Sequence, residues 1–319
     1  MKTKQYNRRN FVGSPQRTLK RSVSCSGLGL HSGETVSLTL NPAEVSSGII
    51  FRRTDAPKKK REISARWDNV VDTRLCSTIG NEFGVTVATI EHLMAALAGC
   101  GVDNALVEVS GPEVPIMDGS AGPFVFLIGC GGVVEQNAPR QVIRILKTVE
   151  VVDDESKAAL APADKCVLDV NIDFEGTIVA DQTLQVGLVN RSFCKELAQA
   201  RTFGFLHEVE AMRAAGFAKG GSLDNAIIVD GGSILNKDGL RYEDEFVRHK
   251  ILDAVGDLYL AGAHILGSFS GKKSGHSINN KLLRALFSDE DAWRYDVLSG
   301  DEIKNFVDGG IVADSVSQV

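Results

Sequence analysis

The sequence predicts an α+β protein made of two layered halves, each with its strands first and its helices after. Three observations carry this. Runs of strand-type alternation gather early in each half, stripes of helical period close each half, and a polar stretch around residues 133–140, containing Pro139, separates them. Strands grouped ahead of helices speak against a doubly wound parallel sheet.

Residues 18–40 read as strand, glycine-rich turn and strand, with period-two alternation in 35–40. Further strands are predicted at 49–53, 78–79, 85–87 and 105–109. Residues 89–97 predict a helix, with Ile90, Leu93, Met94 and Leu97 on one stripe and Gly99 and Gly101 stopping it. A second helix is expected over 119–128, with Pro123 in its first turns. In the second half strands are expected at 141–152, 166–174 and 184–188, and helices at 192–197 and 209–215. A long helix around 249–258, stopped by Gly262, and a last one at 279–287 follow. No repeat is visible at the level of residues. Before Glu34, the first acidic residue, lie seven Lys and Arg, and residues 1–14 read as a disordered basic tail rather than a transit peptide.

With 319 residues, 43% hydrophobic and 24% charged, the chain has the composition of a globular protein of two domains. A net charge of −6 gives no electrostatic case for nucleic acid. No apolar run reaches the roughly 18–20 residues that span a bilayer. The six cysteines are scattered without a C-x-x-C pair and no apolar signal segment is present, so a reduced, cytoplasmic protein is expected.

The segment HKILDAVGD carries the chemistry. His249 and Asp253 stand four residues apart, on one helical face, with Asp257 one turn further. Ile251, Leu252, Val255, Leu258 and Tyr259 form an apolar stripe on another face. Gly256, on the His249 side, leaves room for substrate or another helix to come close. A His and an Asp at this spacing are half of a zinc site, although by themselves they are better explained as a solvated helix face. His92 supplies a third donor. It points away from the apolar stripe of its own helix, among Ala88, Ala95 and Ala96, which predicts burial on both faces.

Three protein ligands with an open fourth position is the catalytic rather than the structural zinc arrangement. Zinc brings the acidity of a bound water near neutrality, and hydrolysis then needs a base and an acid. Glu91, beside His92, is the expected base. His276, in SGHSINN at a loop or helix start, is the expected acid, oriented by Asp257. Thr202 and Lys250 are polar groups suited to oxyanion or phosphate contacts, though on sequence alone an ordinary structural role accounts for each better.

Several long motifs in order, among them GLGLHSGE, NVVDTRLCSTIG, TIEHLMAALAGCGVDNALVEVSGPEVPIMDGSAGPFV, RTFGF, GGSLDNAIIVD and DGLRYEDEFVRHKILDAVGDLYLAG, with SGHSINNKLLRAL, are similar to those of the zinc-dependent UDP-3-O-acyl-N-acetylglucosamine deacetylases. The resemblance runs from about Thr18 to Phe287. It implies two similar α+β domains with the active site between them, and hydrolysis of the acetamide of UDP-3-O-acyl-GlcNAc with release of acetate, the committed step of lipid A synthesis. It implies zinc on His92, His249 and Asp253, Glu91 as base, and His276 as acid or stabiliser supported by Asp257. Thr202 would bond the oxyanion, while Lys250 and Phe203 would contact substrate. An insert near residues 203–230 would form the apolar passage for the acyl chain. Domain I is placed at 15–138, domain II at 139–308 and a C-terminal tail at 309–319, and the chain is expected to act as a monomer. One departure stands out: Glu175-Gly176-Thr177 replaces the family's His-Pro pair. A binding protein of the same fold has no need to keep Glu91, His276 and three ligands together.

Overall fold

The computed structural model describes residues 13–188 and 192–298. Two five-stranded sheets dominate. In the N-terminal half Val23–Leu28, Thr35–Pro42, Ala105–Val109, Ile49–Arg53 and Glu62–Ser64 lie side by side in that order. In the C-terminal half the order is Val149–Asp153, Ser156–Ala161, Ser268–Lys272, Val167–Ile172 and Gln182–Gly187. In both, the fifth strand along the chain inserts between the second and the third, antiparallel to the former and parallel to the latter. The repeat that the residues conceal is therefore present in the topology.

The helices repeat too. We call Glu91–Gly99 α1, Gly122–Gly131 α2, Leu206–Ala214 α3, Glu245–Tyr259 α4 and His276–Ser288 α5. α1 and α4 each precede the inserted strand of their half, and α2 and α5 each follow it. α2 packs on α1 as α5 packs on α4, and α1 and α4 pack on one another. Among the described residues α3 has no counterpart. It belongs to a small unit with the sheet of Phe203–Phe205, Ile227–Asp230 and Ser233–Ile234.

All nine residues of α1 are buried, as expected of a helix with apolar or small residues on every side. The core around it includes Phe51, Phe124, Phe246 and Phe269, each at 2% exposure or less, and full burial of such a side chain contributes roughly 1.5–3 kcal/mol. α4 is likewise enclosed on its polar face: His249, Asp253, Gly256 and Asp257 are all buried. Gly256 explains how. A Cβ there would fall within the radius of the Glu91 carbonyl oxygen, so the two helices touch backbone to backbone.

Some expectations shift. The polar stretch between the halves is a strand, Val133–Pro139, paired antiparallel with Pro15–Leu19. Its alternation is hidden by Glu135, Gln136 and Asn137. Segment 141–152 is two strands, Val142–Ile145 and Val149–Asp153, in different sheets. The helix expected at 192–197 is a π-helical turn, Phe193–Leu197. The tail predicted for 1–14 does not include its last two residues: Ser14 is buried and its carbonyl accepts the Arg140 N–H at 2.7 Å. The rest of that tail and the one at 309–319 lie outside the described residues. At the departure from the family pattern, Gly176 takes φ +76 in a turn closed by the Thr177 hydroxyl donating to Phe174 O at 2.8 Å.

Gly256→Ala should lower unfolding free energy by about 2–3 kcal/mol or more, because the clash is with backbone. Gly232→Ala, where a Cβ meets nothing within 4 Å, should be near neutral. Urea denaturation of both variants checks the contrast, and equal midpoints would refute the contact.

Candidate catalytic centre

The chain enters α1 through Thr89, a β-branched residue at φ +56. Such a backbone costs of order 1–3 kcal/mol and persists only where neighbours hold it. The Thr89 hydroxyl donates to Glu113 Oε1 at 2.8 Å. Glu113 also accepts the backbone N–H groups of His31 and Ser32, each at 2.9 Å. The turn places Glu91 and His92 in the first turn of α1, facing α4.

Across the contact, His249 Nδ1 lies 3.0 Å from the Ala200 carbonyl, which puts the proton on Nδ1 and leaves Nε2 bare. Asp253 Oδ1 is 3.3 Å from His249 Nε2 and 3.6 Å from His92 Nε2. Two donors at about 2.0–2.1 Å from a tetrahedral zinc lie about 3.3 Å apart. Asp253 Oδ1 is buried without a hydrogen-bond partner, whereas Oδ2 accepts Lys250 Nζ at 2.9 Å. A buried carboxylate oxygen left bare between two imidazole nitrogens fits a cation and little else. The protonation states agree. Burial lowers His249 to about 4, keeping it neutral. Burial opposes the charge on Asp253, but His249 and Lys250 outweigh it and hold the carboxyl well below its usual range.

Around this triangle stand the expected acid and base. Burial pushes the Glu91 carboxyl up, and its Oε2 accepts the Ser77 N–H at 3.1 Å. His276 heads α5, with Nε2 3.8 Å from Glu91 Oε1 and Nδ1 2.9 Å from Asp257 Oδ2. Burial works against the imidazolium, yet the carboxylates of Asp257 and Glu91 prevail and raise His276 to about 10. Asp257 also accepts Asn279 Nδ2 at 2.9 Å and the Ser77 hydroxyl at 2.6 Å.

The remaining predicted residues are placed differently. Lys250, expected at the substrate, has its ammonium on Asp253, and that carboxylate raises its pKa against the effect of burial. Thr202 and Phe203 follow Ala200 on the segment that holds His249, and Thr202 is fixed by its N–H donating to Gly119 O at 2.8 Å. The Phe203 ring lies 6.4 Å from that of His249 and packs against Phe246 and Phe174. Both residues line a cavity of about 280 Å³ that continues past Leu206, Met212, Ile228 and Leu235.

A profile of the family described as LpxC, UDP-3-O-acyl N-acetylglycosamine deacetylase, matches residues 16–288. The chain belongs to this family. It is 51% identical over 297 residues to the UDP-3-O-acyl-N-acetylglucosamine deacetylase of Hahella chejuensis, covering 92% of this chain and 95% of that one. To the enzyme of the same name from Thioalkalivibrio sulfidiphilus it is 54% identical over 280 residues, 87% of this chain and 91% of the relative. A third, from Saccharophagus degradans, is 52% identical over 290 residues, 90% and 95% of the two chains. Membership makes the chain a deacetylase, hence a hydrolase, and its two-domain α+β fold is the family's.

Sequence reasoning missed Ser77, Asn279, Glu113 and Glu245. Asn279 was within reach, three residues after His276 on the same helix. Glu245, four before His249, is buried and accepts Arg201 Nε and the Arg201 N–H, both at 2.9 Å, with the Arg241 N–H at 2.6 Å. It thereby clamps the Thr202 segment onto α4. Burial opposes its charge, but the Arg201 and Arg241 hydrogen bonds hold its carboxyl below the usual range. A folded pKa below the unfolded one makes the clamp fully effective above about pH 4.5, near the ordinary Glu value, and lost as pH falls through the folded value. Glu245→Gln should cost roughly 3–5 kcal/mol at pH 7 and flatten the loss of stability on acidification. Urea midpoints at pH 7 and below pH 4 measure this, and an unchanged pH slope would count against the clamp.

Proposed function

We propose that this chain is a zinc-dependent amidohydrolase that removes the N-acetyl group of UDP-3-O-acyl-N-acetylglucosamine, giving UDP-3-O-acyl-glucosamine and acetate at the committed step of lipid A synthesis. It works in the cytoplasm, as a monomer, with domains at 15–138 and 139–308. One observation carries the reading: in a member of this family, Glu91, His92, His249, Asp253, Asp257 and His276 converge from α1, α4 and α5 in one buried cluster. His92, His249 and Asp253 would hold zinc, which when bound polarises a carbonyl oxygen and brings a water's acidity near neutrality.

The residues divide the remaining work. Glu91 takes the proton of the attacking water, its carboxylate kept basic by burial and aimed by the Ser77 N–H. Thr202 hydrogen-bonds the oxygen on which negative charge develops. His276, charged and steered by Asp257, stabilises that charge and hands a proton from Nε2 to the departing amine. Lys250 fixes Asp253 with one N–H and keeps two donors for the substrate. Phe203 lines the apolar cavity, which takes the 3-O-acyl chain within the 203–230 insert.

Acetate release from UDP-3-O-acyl-GlcNAc should vanish on chelation, return with zinc, and collapse when the 3-O-acyl chain is removed. Release that survives chelation, or ignores the acyl chain, overturns the reading. Glu91→Ala should keep zinc while kcat falls about 10²–10⁴-fold. The pH–rate curve should be bell-shaped, since a base must be ionised and an acid protonated. Its alkaline limb, set by His276 held at about 10, should be absent in His276→Gln.

A further inference from the structure

Ser77 lies between the base and the support of the acid. It is 2% exposed and sits just before the strand Thr78–Gly80, in the N-terminal half. Its backbone N–H donates to Glu91 Oε2 at 3.1 Å. Its hydroxyl crosses to α4 and donates to Asp257 Oδ1 at 2.6 Å, the short range of a hydroxyl bonded to an ionised carboxylate. Asp257 Oδ2 is occupied by His276 Nδ1 and Asn279 Nδ2, each at 2.9 Å. The two oxygens of Asp257 thus face opposite ways, one to the N-terminal half and one to the acid.

We propose, resting on the catalytic reading above, that Ser77 is a positioning residue that holds the base in register with the acid. The torsion that turns a carboxylate is broad and soft. Anchoring Oδ1 stops Asp257 from turning, and the His276 imidazole, bonded to Oδ2, is stopped with it. The same residue holds Glu91 by its main chain, so the 3.8 Å between Glu91 Oε1 and His276 Nε2 is set from one point. The distance matters because proton removal and proton delivery must both reach one reacting amide, and displacements of about 1 Å cost rate steeply. Nothing in the run LCST marks Ser77 in the sequence, since its partners are 14 and 180 residues away.

Ser77→Ala removes the hydroxyl and leaves the N–H on Glu91. Assayed on the zinc-loaded chain with UDP-3-O-acyl-GlcNAc, its kcat should fall about 10–100-fold, the usual effect of losing such a supporting partner. KM should stay within about twofold, since the loss is confined to the chemical step, and zinc content should be unchanged. Ser77→Thr keeps the hydroxyl and should restore kcat. The Nδ1–H resonance of His276 in NMR spectra should move in Ser77→Ala and return in Ser77→Thr, which a merely structural role does not require. Wild-type kcat in Ser77→Ala beside an inactive Glu91→Ala overturns this proposal and leaves the catalytic reading standing. Full activity in Glu91→Ala removes both. Should Ser77→Ala not fold, Ser77→Cys, with its weak S–H donor, decides: reduced kcat at unchanged KM supports the role, and wild-type kcat refutes it.

Discussion

The centre depends on two helices meeting with no side chain between them. At Gly256, α4 lies directly against the Glu91 carbonyl of α1. A spacing set by backbone contact is stiffer than one set by side chains, which have rotamers to choose among. That stiffness carries over to His92, His249 and Asp253, whose donor atoms lie within 4.8 Å of one another. A methyl group in that contact would have to push the two helices, and these residues with them, apart.

Electrostatics complete the constraint. Glu91, Asp253 and Asp257 are buried within one cluster, and each bare charge in such a place costs several kcal/mol. Lys250 answers Asp253, while His276 answers Asp257 and Glu91. Glu91 and Asp257 share the one imidazole, and Asp253 keeps one oxygen, Oδ1, without a hydrogen-bond partner. A divalent cation held at that oxygen would offset its negative charge.

Much of this was legible in the residues. The alanines around His92 foretold a helix buried on both faces, and Gly256 foretold a close approach. HKILDAVGD offered a His and an Asp at metal-ligand spacing, and the fold brings His92 beside them. What escaped was non-local. Val133–Pro139 is too polar to read as a strand and owes its pairing to Pro15–Leu19. Lys250 read as a group for oxyanion or phosphate contacts, and nothing in the spacing marked its ion pair with Asp253. Ser77 and Glu113 hold the site by hydrogen bonds to distant segments, and no periodicity encodes those. The repeated strand order was invisible because it is a property of pairing, and the paired residues differ between the halves.

That repetition has a consequence for how many reactions one chain can run. Two copies of one topology, joined through equivalent helices, offer two equivalent corners in which to build an acid. α5 brings His276 to one of them. Its counterpart α2, GPFVFLIGCG, brings a proline, two phenylalanines and no acid, base or imidazole. The two halves have therefore diverged at these helices: α5 brings an imidazole to the cluster that Glu91 and His92 enter from α1, whereas α2 sends Phe124 and Ile128 into the core.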